Sequence, residues 1–511
     1  MHSVALDDVF SQLEATQNQF ILALSAFYDA CTQLYETATK MQIKDETYSA
    51  LDDRLVQMDK QLASLSGTEQ ELAQSLSFLK QARNISKTMI PINRLPAELL
   101  APIFELVVSP QDHTGAAEER TQPNPLATIP SVCHSWRQLA LCTPRLWTCI
   151  DLTGYNHDST LNRAMLWSQR AREVPVHLYL ARLRFFEDQE LEPELRNIST
   201  RAASFNISPL SDEAYIRDLF SHYNLLGGSD TLKAITMGPT SGWPELSSHF
   251  DWSHFVPDTL TSLKLTHTLE NITPSLDELI SLLSRTRNLH TLILRDASVS
   301  PGPRTSYPEI HLPHLEYLES YPHRSTRMNY SGITKRLIQS IMPGSNDIEA
   351  WLEMGEPDDE EHDSAMHKFF TRSRITRLHT GHFKPKDHLL LARYLDCLPE
   401  LRFLSLDFDS KPTNNVLDAL VTTSVEGQEH SARCPKLQGL RLSEACITPR
   451  SQAQLKRVVE THELTRLIFG ERTYFVNEPG SPHGDREIMD WLYERVDDVE
   501  SNDLSWFSLG A

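Results

Sequence analysis

The chain has 511 residues, a formal net charge of −21 at pH 7 and a mean hydropathy of −0.37. This length is more than one compact core usually contains, so several structural units are expected. The negative charge argues against nucleic acid as a general partner, because phosphate binding requires a basic surface.

The chain is also expected to be intracellular, in the cytoplasm, the nucleus or both. The seven cysteines form no C-x-x-C pair and no zinc spacing, which indicates reduced thiols. The apolar run from Phe20 to Tyr28 is far shorter than the roughly 20 residues of a membrane span, and no positively charged segment precedes it. Neither a membrane span nor a secretory signal is therefore expected.

Residues 1–90 are predicted to form long helices. Up to residue 88 they contain no proline and one glycine, and nearly every a position of a heptad register from Leu13 to Leu76 is apolar. The d positions become apolar from Leu51 to Leu79, which favours a coiled coil, as a homodimer or an antiparallel hairpin. An amphipathic helix packed on its own protein explains the pattern equally well.

Residues 91–147 carry the most informative motif. The first half reads LPAELLAPIFELVV from residue 95, a helix opened by Pro96, and the second reads VCHSWRQLA from residue 132, continued by TPRLW from residue 143. Pro102 removes one backbone donor inside the first helix and is expected to disturb its straightness, and residues 109–125 add a long loop. Such a small helical unit buries little surface and is expected to be stabilised by packing against a partner.

This pattern resembles an F-box, in the extended form common in fungal F-box proteins. The resemblance implies binding of a Skp-family adaptor, which links a substrate receptor to an SCF-type cullin-RING ubiquitin ligase. By the same resemblance, the residues that face the adaptor are Leu95, Pro96, Leu99, Ile103, Phe104, Val132 and Trp136. The alternative is a helical hairpin whose leucines and tryptophan are simply core.

After this segment, apolar strand cores recur at intervals of mostly about 26 to 30 residues. They end near Leu152, Leu180, Ile207, Met237, Leu265, Leu294, Ser320, Thr380, Leu406, Leu442 and Phe469. The one interval of about twice this length is expected to contain a weak repeat near Ile348 to Met354. The period is close to that of leucine-rich repeats, and the repeats resemble the degenerate, helix-containing kind found in F-box proteins.

Helices are expected between the strands. Ser275 and Glu278 form a capping-box pattern, and Thr448-Pro449 is a helix start. The concave strand face is predicted to carry Thr261, Lys264, Thr291, Arg295, Arg402, Asp407, Gln438 and Arg441. The acidic segment 485–511 is predicted to be a cap helix that covers the last strand.

The predicted fold is therefore an α/β solenoid of degenerate leucine-rich repeats over residues 148–484, preceded by a helical F-box and an N-terminal long helix. The chain lacks G-x-S-x-G, Walker-type and H-E-x-x-H motifs, so no catalytic residue, metal or cofactor is expected. The expected function is substrate recognition for the ligase, with an unidentified target protein held by the repeats. The alternative is a leucine-rich-repeat scaffold that does not engage the ligase and uses the F-box-like segment as a cap.

Overall fold

A computed structural model of the chain describes residues 2–40, 56–57, 60, 70–80, 91–108, 125–152, 157–180, 197–207, 231–238, 252, 258–266, 273–297, 299–300, 302, 307–321, 327–353, 359–381, 388–408, 413, 416–422, 431–476, 484–501 and 505–507. The chain divides into two compact units, residues 1–94 and 95–511. The helices are α1 (His2–Lys40), α2 (Ala97–Val108), α3 (Pro125–Val132), α4 (His134–Cys142), α5 (His157–Ala171), α6 (Leu276–Arg285), α7 (Arg327–Ser340), α8 (Glu360–Arg372), α9 (His388–Leu395), α10 (Pro449–His462) and α11 (Gly484–Tyr493). Short 3-10 helices span Pro91–Arg94, Pro144–Trp147 and Leu417–Leu420.

The strands are β1 (Cys149–Asp151), β2 (Val176–Leu180), β3 (Ala202–Ile207), β4 (Ala234–Met237), β5 (Ser262–Thr266), β6 (Thr291–Arg295), β7 (Ile310–Leu312), β8 (Tyr317–Tyr321), β9 (Ile341–Pro343), β10 (Ile348–Leu352), β11 (Ile375–Gly381), β12 (Phe403–Asp407), β13 (Val421–Thr422), β14 (Ser431–Ala432), β15 (Gly439–Ser443), β16 (Cys446–Ile447), β17 (Arg466–Phe469), β18 (Tyr474–Val476), β19 (Asp498–Ser501) and β20 (Ser505–Phe507). In the described part of the chain, 13 of them form one sheet in the order β1-β2-β3-β4-β5-β6-β8-β10-β11-β12-β15-β17-β19. Each adjacent pair in this sheet is parallel. This mixed α/β architecture with one long parallel sheet fits a solenoid.

In the first unit, α1 is a helix of 39 residues. Val9, Leu13, Phe20, Leu24 and Phe27 lie within a narrow arc of the helix, and all five side chains are exposed. The predicted coiled coil stays a prediction, and its leucines from Leu51 to Leu65 lie outside the described residues. Among the helices that the structure describes, none combines the length and the apolar character needed to cross a membrane.

The second unit is built around a ladder of apolar side chains, one from every strand of the long sheet. Register pairing aligns Ile150, Leu178, Phe205, Ile235, Leu263, Leu292, Leu318, Ala350, Leu378, Leu404, Leu440, Leu467 and Val499. All are buried except Val499, on the last strand, which is half-buried. Burying one such side chain contributes about 1.5–3 kcal/mol, so the ladder is a major source of the sheet's stability.

The predicted strand cores all coincide with strands of this sheet, and the weak repeat is β10. Whether the repeating units are leucine-rich repeats stays a prediction. The helix starts also match: Ser275 and Glu278 make both bonds of a capping box before α6, and Thr448 caps α10 by accepting from the Ser451 N–H at 3.3 Å.

The C-terminal segment contains more than the predicted cap helix. Residues after α11 form β19, which pairs in parallel with β17 as the thirteenth strand of the sheet. This strand was hard to predict, because Val499 is its one apolar side chain. The predicted domain limits at 90, 147 and 484 remain predictions.

Candidate functional site

Helix α2 carries two apolar stripes, of which only one packs inside the protein. Leu100 and Phe104 are buried, four residues apart. The other stripe contains Leu99, Ile103, Leu106 and Val107, which are 54%, 39%, 73% and 55% exposed. These four occupy positions i, i+4, i+7 and i+8, so they share one face of the helix. This set is called the apolar face of α2 below.

The prolines at the start and in the middle of α2 are accommodated without a break. The carbonyl of Pro96 accepts hydrogen bonds from the N–H groups of Leu99 and Leu100, both at 3.1 Å, so Pro96 lies just before the helix rather than at its first position. Pro102 lies within α2 and is exposed, and the helix continues past it to Val108. Its missing hydrogen bond therefore falls on the solvent side, where water can satisfy the freed carbonyl.

Phe104, which the resemblance implies faces the adaptor, is instead buried inside the protein. Its side chain is 2% exposed. Its ring centroid lies 4.7 Å from that of Trp136, and the angle between the two ring planes is 54°. The two rings form the contact between α2 and α4. In this structure Phe104 is a core residue, because it belongs to the stripe of Leu100 and not to that of Leu99.

The second half of the segment consists of two helices that meet at Cys133. The Cys133 backbone is extended, and its sulfur accepts a hydrogen bond from the Trp136 N–H at 3.5 Å, which caps α4. Val132 is the last residue of α3 and is 49% exposed. The apolar spacing of Val132, Trp136 and Leu139 continues through this break, so the sequence pattern alone does not reveal it.

Trp147 connects the helical segment to the first repeat of the sheet. Its Nε1–H donates a hydrogen bond of 2.8 Å to the Ala140 carbonyl. Its ring lies edge-on to Trp167 of α5 at 6.3 Å, and the Arg170 guanidinium lies 4.2 Å from the ring centroid. The C-terminal end of the helical segment is thereby fixed against α5.

The predicted adaptor residues therefore do not share one environment. Pro96, Leu99, Ile103 and Val132 are exposed, Leu95 and Trp136 are half-buried, and Phe104 is buried. Sequence reasoning missed Leu106 and Val107, although their helical spacing from Leu99 and Ile103 was visible. The exposed set is apolar and carries no ionisable group, so it is suited to binding a protein surface and not to catalysis.

A second candidate surface is the side of the long sheet opposite the ladder, called the open face below. The predicted strand-face residues, from Thr261 to Arg441, are all half-exposed or exposed. On β6 and β8, Arg295 donates two hydrogen bonds to the buried carboxylate of Glu319, one of them at 2.9 Å, and the Tyr317 hydroxyl donates another at 3.1 Å. The bond to Glu319 raises the pKa of Arg295, so this pair stays ionised and fixes the two strands together.

Aromatic side chains continue along the open face over β10, β11 and β12. The rings of Trp351 and His379 are stacked, with centroids 3.8 Å apart and an angle of 5° between their planes. The ring centroid of Phe403 lies 5.6 Å from that of His379. Glu349 accepts from the Trp351 Nε1–H at 3.2 Å and lies 3.2 Å from Nε2 of His379. His379, and then Trp351, hold the pKa of Glu349 below its ordinary value, whereas burial lowers the pKa of His379.

Comparison with known proteins agrees with the geometry of the helical segment. Residues 92–153 match the family model described as F-box-like. This segment is an F-box-like domain. The match extends through β1, so the domain includes the first strand of the sheet.

Comparison of the whole chain with other proteins gives no further support. No curated protein sequence matches it significantly. Among solved structures, a chain of the Rad7 and Elc1 complex in yeast aligns with 78% of this chain and 92% of its own length, at 15% identity and a TM-score of 0.29. At that distance the match supports no argument about fold or partner. Within the described residues, no group of three or more His, Cys, Asp or Glu side chains could hold a metal ion.

Proposed function

We propose that this protein is a non-catalytic substrate-recognition subunit of an SCF-type cullin-RING ubiquitin ligase. The F-box-like domain binds a Skp-family adaptor, and the repeats after it hold a target protein. The observation that carries the proposal is the apolar face of α2, which lies within residues 92–153 and is left uncovered by the described residues.

The exposure of this face supports a receptor over a capped scaffold. If the F-box-like segment served only to cap the sheet, its apolar side chains would be buried against the repeats. Leu99, Ile103, Leu106 and Val107 are instead between 39% and 73% exposed on one side of the helix. A continuous apolar patch of this kind is typical of a protein interface.

The proposed role of the sheet is to hold the target. In such a receptor the repeats position the target close to the ubiquitin-loaded enzyme, and rate enhancement comes from effective concentration. Tethering of this kind reaches millimolar local concentrations without any catalytic side chain in the receptor. The proposed place of action is the cytoplasm, the nucleus or both.

We also propose that residues 1–90 pair two copies of the receptor. The arc of α1 that contains Leu13, Phe20, Leu24 and Phe27 is exposed and apolar. The acidic residues Asp29 and Glu36 lie on the opposite side of the helix, so their charge does not oppose self-association.

Co-purification with a Skp-family adaptor from the same source tests the main proposal. Wild type is compared with a Leu99→Asp, Ile103→Asp double variant, which places two carboxylates on the apolar face of α2. The matched control is Leu389→Asp on α9, a leucine that is 66% exposed outside the F-box-like domain.

We expect wild type and the control to retain the adaptor and the double variant to lose it while keeping its circular dichroism spectrum. Retention of the adaptor by the double variant would show that α2 is not the binding surface. If no form binds the adaptor, the chain is better explained as a repeat scaffold.

A further inference from the structure

A cleft of about 550 Å³ crosses the open face near the N-terminal ends of β8, β10, β11, β12, β15 and β17. Across the sheet, its charged lining runs from Glu316 before β8 and Glu349 on β10 to Arg377 on β11 and Arg402 before β12. Phe403 directly follows Arg402 and forms the aromatic part of the floor. The lining therefore changes from acidic to basic across the strands, and the aromatic ring lies next to the basic part.

The aromatic floor depends on a glycine in the neighbouring strand. A Cβ atom added at Gly439 would lie 2.6 Å from Cδ2 of Phe403, so the ring can occupy this place only because residue 439 has no side chain. The Arg377 guanidinium lies 5.9 Å from the centroid of the Phe403 ring. Phe403 is half-exposed, which leaves part of the ring open to the cleft.

Most of the charged groups around the cleft already have partners within the protein. Asp347 lies 3.0 Å from Arg374, and Arg466 lies 3.1 Å from Asp498. Arg377 and Glu349 lie 3.7 Å from each other.

Two charged side chains are left for a ligand. Glu316 and Arg402 are exposed, and neither side chain makes a hydrogen bond or ion pair with another residue that the structure describes. The positive charge of Arg402 acts on Glu400, but the Glu400 carboxylate is itself paired with Lys436 at 2.6 Å. The cleft thus offers one anion at β8 and one cation at β12, the latter beside the aromatic floor.

The separation of these two charges suits an extended peptide. Glu316 precedes β8 and Arg402 precedes β12, three strand positions away in the sheet. Adjacent strands lie about 4.8 Å apart, so the two sites are separated by about 14 Å. Four residues of extended chain span about 13 Å.

The Phe403 ring lies against Gly439 on β15, beyond Arg402 as seen from Glu316, and alternate side chains of an extended chain share one face. We propose that this cleft binds an extended peptide segment of the target protein, in which a basic and an acidic side chain are four residues apart and an apolar side chain lies two residues beyond the acidic one. The basic side chain pairs with Glu316, the acidic side chain pairs with Arg402, and the apolar side chain packs on Phe403. This assignment rests on the proposed function, for which it supplies the class of target sequence.

Selection from a phage library of random heptapeptides on the immobilised full chain tests the assignment. Three further forms are used: Arg402→Glu, the double variant Glu316→Lys, Arg402→Glu, and the matched control Arg450→Glu. Arg450 is an exposed arginine in the first turn of α10, outside the cleft lining. All substitutions are on exposed side chains, so folding is expected to be retained.

We expect wild type and the control to enrich peptides with a Lys or Arg and an Asp or Glu four residues apart, and with an apolar residue two positions beyond the acidic one. Recovery of these clones should fall about tenfold on Arg402→Glu, because an attraction becomes a repulsion at one end. The double variant should instead enrich peptides in which the acidic and basic positions are exchanged, because it exchanges the two charges and leaves Phe403 beside residue 402. Enrichment without this charge spacing, no enrichment on wild type, or equal recovery on Arg402→Glu would overturn the assignment. The adaptor experiment involves none of these residues, so a failure of the peptide assignment can be distinguished from a failure of the proposed function.

Discussion

Two residues in the same turn of α2 are predicted to have opposite roles, and truncation of each to alanine separates folding from binding. Phe104 is 2% exposed and packs on Trp136, so Phe104→Ala removes a buried ring and is expected to destabilise this domain by about 3–5 kcal/mol. Leu106 is 73% exposed, so only about a quarter of its side chain is buried in the free chain. With about 1.5–3 kcal/mol for a fully buried leucine, Leu106→Ala is expected to cost below about 1 kcal/mol of stability.

For adaptor binding, the larger direct effect is expected from Leu106→Ala. If the exposed three quarters of Leu106 becomes buried by the adaptor, its loss costs about 1–2 kcal/mol of binding free energy, which is roughly a 5- to 30-fold increase in Kd. Amide hydrogen exchange across α2, α3 and α4 measures the stability of the domain separately from that of the sheet, and calorimetric titration with the adaptor measures Kd. The reasoning is refuted if Phe104→Ala leaves exchange unchanged, or if Leu106→Ala speeds exchange as a core truncation would.

Three further predictions concern the fold. Trp147→Phe is expected to lower the free energy of unfolding in urea by about 1–2 kcal/mol more than Trp136→Phe does. The reason is that the Trp147 indole N–H donates a buried hydrogen bond, whereas that of Trp136 has no partner among the described residues. Equal losses of stability would contradict this. Leu404→Ala, in the middle of the ladder, should lower stability by about 2–5 kcal/mol, measured as a shift of the urea midpoint, and a shift typical of a surface substitution would contradict the ladder's role. Burial lowers the pKa of His379 and of His462 below 6.5, so the unfolded chain binds more protons than the folded chain in this pH range. The free energy of unfolding should therefore fall as the pH drops from about 7.5 to 5.5. His462→Gln should make this pH dependence less steep.

The strands of the sheet were predictable because each parallel strand must contribute an apolar side chain to the ladder. Leucines at a nearly constant interval, such as Leu263, Leu292 and Leu318, identify these strands without any knowledge of the fold. The strand at Ile348–Leu352 was harder to see, because Ala350 occupies the ladder position. The strand at Asp498–Ser501 was missed because only Val499 is apolar and the surrounding acidic residues suggested a cap.

The helical segment shows a different limit of sequence reasoning. Both Leu99 with Ile103 and Leu100 with Phe104 have the spacing of an apolar helix face, so the pattern cannot show which pair faces solvent. That choice depends on Trp136, which packs against Phe104 from a helix some 30 residues away. Tertiary packing, and not local pattern, therefore decides which leucines are available to a partner.

The open face was the least predictable part of the site. The stack of Trp351, His379 and Phe403 joins three strands, and it requires the register that places Trp351 opposite His379. A shift of one residue would turn these rings to the other side of the sheet. The sequence named polar strand residues as candidates but could not show that a cleft with separated charges lies among them.

The most direct test of the proposed receptor is the temperature dependence of the enthalpy of binding between the full chain and a purified Skp-family adaptor. Burial of the apolar face of α2 predicts a clearly negative heat-capacity change for wild type, because removing apolar surface from water has this signature. The change should be smaller in magnitude for Leu106→Ala. Binding with no heat-capacity change, or the absence of binding, would contradict the central claim that this face is an adaptor surface.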